Sequence, residues 1–240
     1  MTNIEKVLQS KVVSFVIRKI NKILHLSFES IYNLDRVRGC DEIGISSSTS
    51  NEHAPTTDYV ELLFILLRNC KVRGGTIIDI GCGSGAALVL FRVLPFKRIL
   101  GVELSKELAT KGINNFHKTS RVEVHHDDAT TFKYNNIETV FMFNPFPAEV
   151  LLKVLSSVIN SNERFKLIYR NPKYFHEIEK KYGNLFGAEP VFYKTSNSTY
   201  YILEFLAEPG KALKKCILIF LCASEWVFTF FEPVYMIGIF

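Results

Sequence analysis

The segment Thr76-Ile77-Ile78-Asp79-Ile80-Gly81-Cys82-Gly83-Ser84-Gly85-Ala86 constrains the fold of this chain more than any other. Four of its first five residues are β-branched, which suits a short buried strand. Apolar residues from Ala86 to Leu94 then predict a helix. Three glycines between strand and helix let the backbone reverse and approach a ligand with no Cβ in the way. A strand that leaves through such a turn into a helix opens a βαβ unit, and βαβ units build parallel sheets.

The rest of the chain repeats the alternation. A helix is predicted from Tyr59 to Leu67, and strands at Arg98–Val102, Val122–His125, Thr139–Phe143 and Lys166–Tyr169. Between them, Ser105 is an N-cap for a helix running to about Phe116, and helices follow at Ala148–Val158 and Tyr174–Tyr182. Pro190–Lys194 and Thr199–Phe205 flank the turn cluster Ser196-Asn197-Ser198, which reads as a hairpin. The expected fold is α/β: a doubly wound, seven-stranded, mostly parallel sheet closed by one antiparallel strand.

Outside this core lie two different ends. Ile4, Leu8, Val12, Val16, Ile20 and Leu24 recur every fourth residue, with Lys6, Lys11, Arg18, Lys19 and Lys22 between them. They predict an N-terminal helical extension over residues 4–27, packed on the main domain or on a dimer partner, or else lying on a membrane surface. A polar loop follows to Asn51, so the expected division is 1–50 extension and loop, 51–208 domain and 209–240 apolar tail. In the tail, Cys216 to Cys222 is continuously apolar and Trp226 to Phe231 nearly so, with Glu225 and Glu232 interrupting. That is short of the roughly 20 apolar residues a spanning helix needs. A docked element, a membrane-associated tail and a poorly ordered terminus all stay open.

The 240 residues carry a net charge of +5 and are 48% hydrophobic and 22% charged, a globular balance that excludes a wholly disordered chain. Five cysteines form no CxxC pair, and with six scattered histidines no metal site is expected. No secretory core segment is visible in the first 30 residues, so the expected location is the cytoplasm, with membrane association open.

Glycine spacing alone also admits a dinucleotide. Asp79 separates the two readings: a pyrophosphate at this turn would be repelled by its carboxylate, whereas the ammonium of S-adenosylmethionine (SAM) would be held by it. Gly81, Gly83 and Gly85 then form the cofactor turn. Glu103, ending the second strand, can accept both hydroxyls of a ribose. Asp128, before the small Ala129 and after the third strand, is the candidate partner of the adenine amino group, preferred to Asp127.

Phe143-Asn144-Pro145-Phe146-Pro147 follows the fourth strand. It resembles the Asn/Asp-Pro-Pro-aromatic motif of class I SAM-dependent methyltransferases that methylate amino groups, one proline short. His53-Ala54-Pro55-Thr56 is similar to a Tyr-x-Pro-Thr loop in an uncharacterised bacterial group distantly related to the non-SET histone-lysine methyltransferases, with His53 where Tyr is usual. Phe96-Lys97, Glu103-Leu104-Ser105 and Asn171-Pro172 match that group as well. The resemblance spans roughly residues 30–205 and implies a Rossmann-like methyltransferase fold with SAM as cofactor. It adds Thr56, on a loop covering SAM, together with Leu104, Ala129 and Asn144, to the cofactor residues. Asn144, the Pro145 carbonyl and the Phe146 ring would orient the acceptor.

The expected activity is methyl transfer to an amine nitrogen, of a protein lysine or similar group. A small-molecule acceptor is the alternative, and so is a non-catalytic SAM-binding protein anchored by the apolar tail. A nucleic-acid acceptor ranks behind these, because no basic stripe with interleaved aromatics is present.

Overall fold

A computed structural model describes residues 11–32, 58–143, 146–195 and 198–206. The tail from 209 and the polar loop to Asn51 lie outside these residues. The described elements are α1 (Lys11–Ile31), α2 (Tyr59–Asn69), β1 (Thr76–Ile80), α3 (Ala86–Val93), β2 (Arg98–Glu103), α4 (Lys106–Phe116) and β3 (Val122–His126). They continue with β4 (Thr139–Phe143), α5 (Ala148–Ser161), β5 (Arg164–Arg170), α6 (Phe175–Tyr182), β6 (Val191–Lys194) and β7 (Thr199–Leu206). One seven-stranded sheet has the order β3-β2-β1-β4-β5-β7-β6. Strands β1 to β5 are parallel, and β7 runs antiparallel to both β5 and β6.

The central strands β1, β2 and β4 are buried on both faces and are apolar almost throughout rather than alternating, whereas the edge strands β3 and β6 are more exposed. Ile77, Ile99, Phe141 and Ile168 pack with α2 and α3 on one face. Ile78, Leu100, Val140 and Leu167 pack with α5 on the other. Adjacent residues in a strand therefore serve opposite layers. The order reverses beside β1, where β2 leaves on one side and β4 on the other, and the crevice beyond the strand ends at such a switch is where ligands of open α/β sheets bind.

Element positions follow the sequence expectation closely. Ser105 caps α4, its hydroxyl accepting from the Leu108 amide at 3.4 Å. The N-terminal helix departs from expectation in length and in its packed face. It continues to Ile31, and Val16 and Ile20 of the expected stripe face outward, whereas Leu24 of that stripe packs inward with Ile17, Asn21 and Phe28. The cause is polar: Asn21 accepts from the Val60 amide at 3.0 Å and donates to Asp58, which locks that face against the start of α2. Residues 4–10 of the expected helix lie outside the described residues.

Candidate cofactor and acceptor site

Strand β1 brings Asp79 to the switch point, in register with Gly101 of β2 and Phe141 of β4. The chain then turns through Gly81, Gly83 and Gly85 at φ values of +79°, +56° and +100°. These are left-handed conformations that a side chain disfavours. The Gly81 and Cys82 amides donate to the Val102 carbonyl at 2.9 and 3.2 Å, which ties the turn to β2. At Gly85, the N-cap of α3, a Cβ would lie 2.5 Å from Phe116 Cε2.

Glu103 ends β2 beside this turn. Its Oε2 accepts from the Gly83 amide and its Oε1 from the Ser105 amide, each at 2.9 Å. One bond per oxygen fixes the carboxylate and leaves lone pairs on both for further donors. The next residue, Leu104, is 60% exposed, an apolar face open to a planar group.

Asp79 is buried, and its side chain accepts no hydrogen bond among the described residues. Burial, and secondarily the Glu103 carboxylate, pushes its pKa up to about 8. Two acids at adjacent strand ends, one of them desolvated, form a site that gains from a cation, which would favour the ionised Asp79, whereas a phosphate would face the Glu103 carboxylate and favour neither acid's charge. Spare acceptor capacity on Glu103 suits hydroxyl donors. The donor set therefore fits a nucleoside with a cationic end better than a pyrophosphate.

At the third strand end, Asp128 is exposed, and its Oδ1 accepts from the Thr130 amide at 2.7 Å and the Thr130 hydroxyl at 2.8 Å. These bonds hold its carboxyl below the usual range. Asp127 caps locally too, accepting from the Asp128 amide. Ala129 is buried under the loop, its carbonyl accepting from Tyr134 Oη at 2.7 Å. Asp128 thus has a structural task in its turn, with its second oxygen left over.

Asn144, Pro145 and Thr56 lie outside the described residues, as does His53. Phe146 is half-buried and packs on the α5 side of the sheet. The structure thus brings Asp79, Gly81, Gly83, Gly85 and Glu103 together at the neighbouring ends of β1 and β2.

Two features escaped the sequence reading. Gly101, opposite Asp79, leaves room for the turn: a Cβ there would lie 2.7 Å from Cys82 Sγ and 2.9 Å from Leu88 Cδ1. The second is a polar cluster at the end of β5. Arg170 is buried, donates from Nη2 to Asp58 Oδ2 at 2.7 Å and to Ser198 Oγ at 2.8 Å, and lies 4.3 Å over the Phe143 ring. It joins the start of α2, the end of β4 and the β6–β7 turn. No local signal could have shown it, since Asp58 and Arg170 are 112 residues apart.

No protein-family model matches the sequence, and no curated protein is significantly similar to it. Solved structures are similar in fold. A candidate RNA methyltransferase from Pyrococcus horikoshii aligns at a TM-score of 0.53 and 18% identity, over 79% of this chain and 96% of that one. A ribosomal protein L11 methylase from Lactobacillus delbrueckii subsp. bulgaricus aligns at 0.52 and 18%, over 65% and 81%. An RNA methyltransferase from Salinibacter ruber, solved with S-adenosyl-L-homocysteine (SAH), aligns at 0.50 and 16%, over 64% and 95%. With β7 alone reversed in a seven-stranded sheet and helices on both faces, the chain has the Rossmann-like fold of these methyltransferases.

Proposed function

We propose that this chain is a SAM-dependent methyltransferase acting on an amine nitrogen, of a protein lysine or a smaller molecule. One observation carries the cofactor half of the reading. Asp79 is buried at the foot of the glycine turn, without a donor among the described residues, and its pKa is lifted to about 8 beside Glu103. A cationic ammonium placed there would stabilise the ionised acid by a charge-assisted hydrogen bond. Glu103 accepts the ribose hydroxyls, Leu104 and Ala129 border the adenine, and the second oxygen of Asp128 takes the adenine amino group. Thr56 belongs to the loop that covers the cofactor, on the resemblance to the bacterial group related to the non-SET enzymes.

Bound SAM supplies an electrophilic methyl group on a sulfonium. The chain's own task is to align the acceptor lone pair with that methyl and to exclude water. Asn144 and the Pro145 carbonyl orient the acceptor nitrogen, and the Phe146 ring walls the pocket. A neutral amine attacks with its own lone pair, so no strong base is required of the chain. Arg170, stacked on Phe143 and paired with Asp58, steadies the strand end from which Asn144 departs.

Calorimetry with SAH tests the cofactor, and isotopically labelled SAM added to cell extract tests transfer. Structural relatives named as an RNA methyltransferase and as a ribosomal protein methylase make RNA, protein and metabolite fractions all necessary arms. The expected result is SAH binding that is lost in Asp79→Ala and Glu103→Ala, with label appearing on amine nitrogens. Asn144→Ala should lower transfer about 100-fold. NAD binding without SAH binding would overturn the cofactor assignment. SAH binding with label on no fraction would turn the reading to a non-catalytic SAM-binding protein.

A further inference from the structure

Helix α1 has two apolar faces, and among the described residues the fold covers one of them. Ile17, Leu24 and Phe28 pack inward, with Asn21 bonded to α2. On the opposite side Phe15, Val16, Ile20, Ile23 and Leu26 are 54%, 47%, 42%, 63% and 54% exposed. Such a contiguous apolar face on a globular protein marks a contact surface. Arg18 and Lys22, one turn apart, form its border, and Lys19 lies within it, its ammonium 5.5 Å from the centre of the Phe15 ring. The helix sequence contains a single acid, Glu29. Among the described residues no helix is long and apolar enough to cross a membrane.

We propose that α1 docks the protein on an anionic lipid surface, lying in the plane of the interface. Aliphatic and aromatic residues beside cationic ones on a single helix are the chemistry of such helices. The apolar residues enter the acyl boundary while Arg18, Lys19 and Lys22 extend their charged ends to the headgroups. Charge decides between this occupant and a second copy of the chain. Two α1 faces brought together would oppose like charges, whereas anionic headgroups neutralise them, each cation contributing about 1 kcal/mol near the surface. The placement is also independent of the crevice: it uses the side of α1 turned away from Asn21 and α2.

Flotation of the full chain with phosphatidylcholine vesicles, with and without phosphatidylglycerol, tests this. The protein should float with the anionic vesicles, stay behind with the neutral ones, and release as salt is raised. Ile20→Glu with Ile23→Glu should weaken partition about tenfold or more, while melting temperature and SAH binding stay at wild-type values. Ile217→Glu with Leu221→Glu, in the apolar tail, should float as wild type does. Three results would overturn the proposal: unchanged flotation of the α1 variant, loss of flotation in the tail variant alone, or a wild-type chain that ignores vesicles and sediments as an α1-dependent dimer.

Discussion

The Arg170 guanidinium lies 2.7 Å from the Asp58 carboxylate, and both side chains are almost wholly withdrawn from water. Ser198 Oγ accepts from Arg170 and donates to Asp58 at 3.2 Å, so three chain segments share one buried charge pair. Removing one partner leaves the other charge desolvated and unpaired. Arg170→Ala should therefore destabilise the fold by about 3–5 kcal/mol. Asp58→Asn combined with Arg170→Met should cost clearly less than the sum of the single changes, because the pair is removed together. Urea denaturation of the four proteins measures the coupling; additive losses would show that the pair does not act as a unit.

Asp79 ties stability to pH. Its pKa is raised on folding, so between about pH 4 and pH 8 the unfolded chain has lost a proton that the folded chain keeps. Stability contributed at this residue therefore falls as pH rises through that window. Asp79→Asn should remove the slope and raise the stability of the unliganded protein by about 4 kcal/mol at pH 7. Thermal melts from pH 5 to pH 8 read both effects. An unchanged slope in the variant would place the titration elsewhere.

Ligand binding should carry a proton signature. A cation beside Asp79 favours the ionised acid, so binding at pH 7 should release close to one proton from the wild type. Calorimetry of SAH binding in buffers of different ionisation enthalpy counts it. Asp79→Asn should release none and bind more weakly, and equal release by both proteins would contradict the contact.

Glu103 has two tasks, and one substitution should weaken both to different degrees. Glu103→Gln keeps the shape and one acceptor oxygen but loses the charge that two backbone amides and two hydroxyls would share. SAH affinity should drop about 10- to 100-fold, roughly 1.5–3 kcal/mol for bonds to a charged group. The Gly83 and Ser105 amides make the fold feel the change too, so a small fall in melting temperature is expected beside it.

Gly85 joins a left-handed φ of +100° to a Cβ position 2.5 Å from the Phe116 ring. Gly85→Ala should cost about 2–4 kcal/mol through strain and overlap. Adding Phe116→Leu should recover only the overlap part. Full recovery in the double variant would mean the backbone at Gly85 carries no strain.

Much of the fold was legible because its signals are local. Thr76 to Ile80 is a strand in the sequence and in the structure, and the glycines after it turn as their spacing implies. Ser105 stands one turn before the amide it caps and could be read directly. At the site, Asp79 and Glu103 were legible as acids that end neighbouring strands. Helix α1 was only half legible. Its apolar residues suit two faces, and the spacing favoured the Val16–Ile20 stripe, which the fold leaves outside. Asn21, a residue that hydrophobic periodicity discounts, selects the packed face through bonds to residues 37 and 39 positions away.

Local order along the chain therefore determined the strands, the glycine turn and the acids at the strand ends, because backbone sterics and neighbouring side chains act within a few residues. Tertiary structure alone decided what those acids are. Asp79 becomes a carboxyl with a pKa of about 8 only when the sheet excludes water from it and brings Glu103 of the next strand alongside. Arg170 becomes half of a buried pair only when Asp58, 112 residues earlier, is packed against it. Desolvation and Coulomb interaction depend on distance in space, and the order of residues does not contain that distance until the chain has folded.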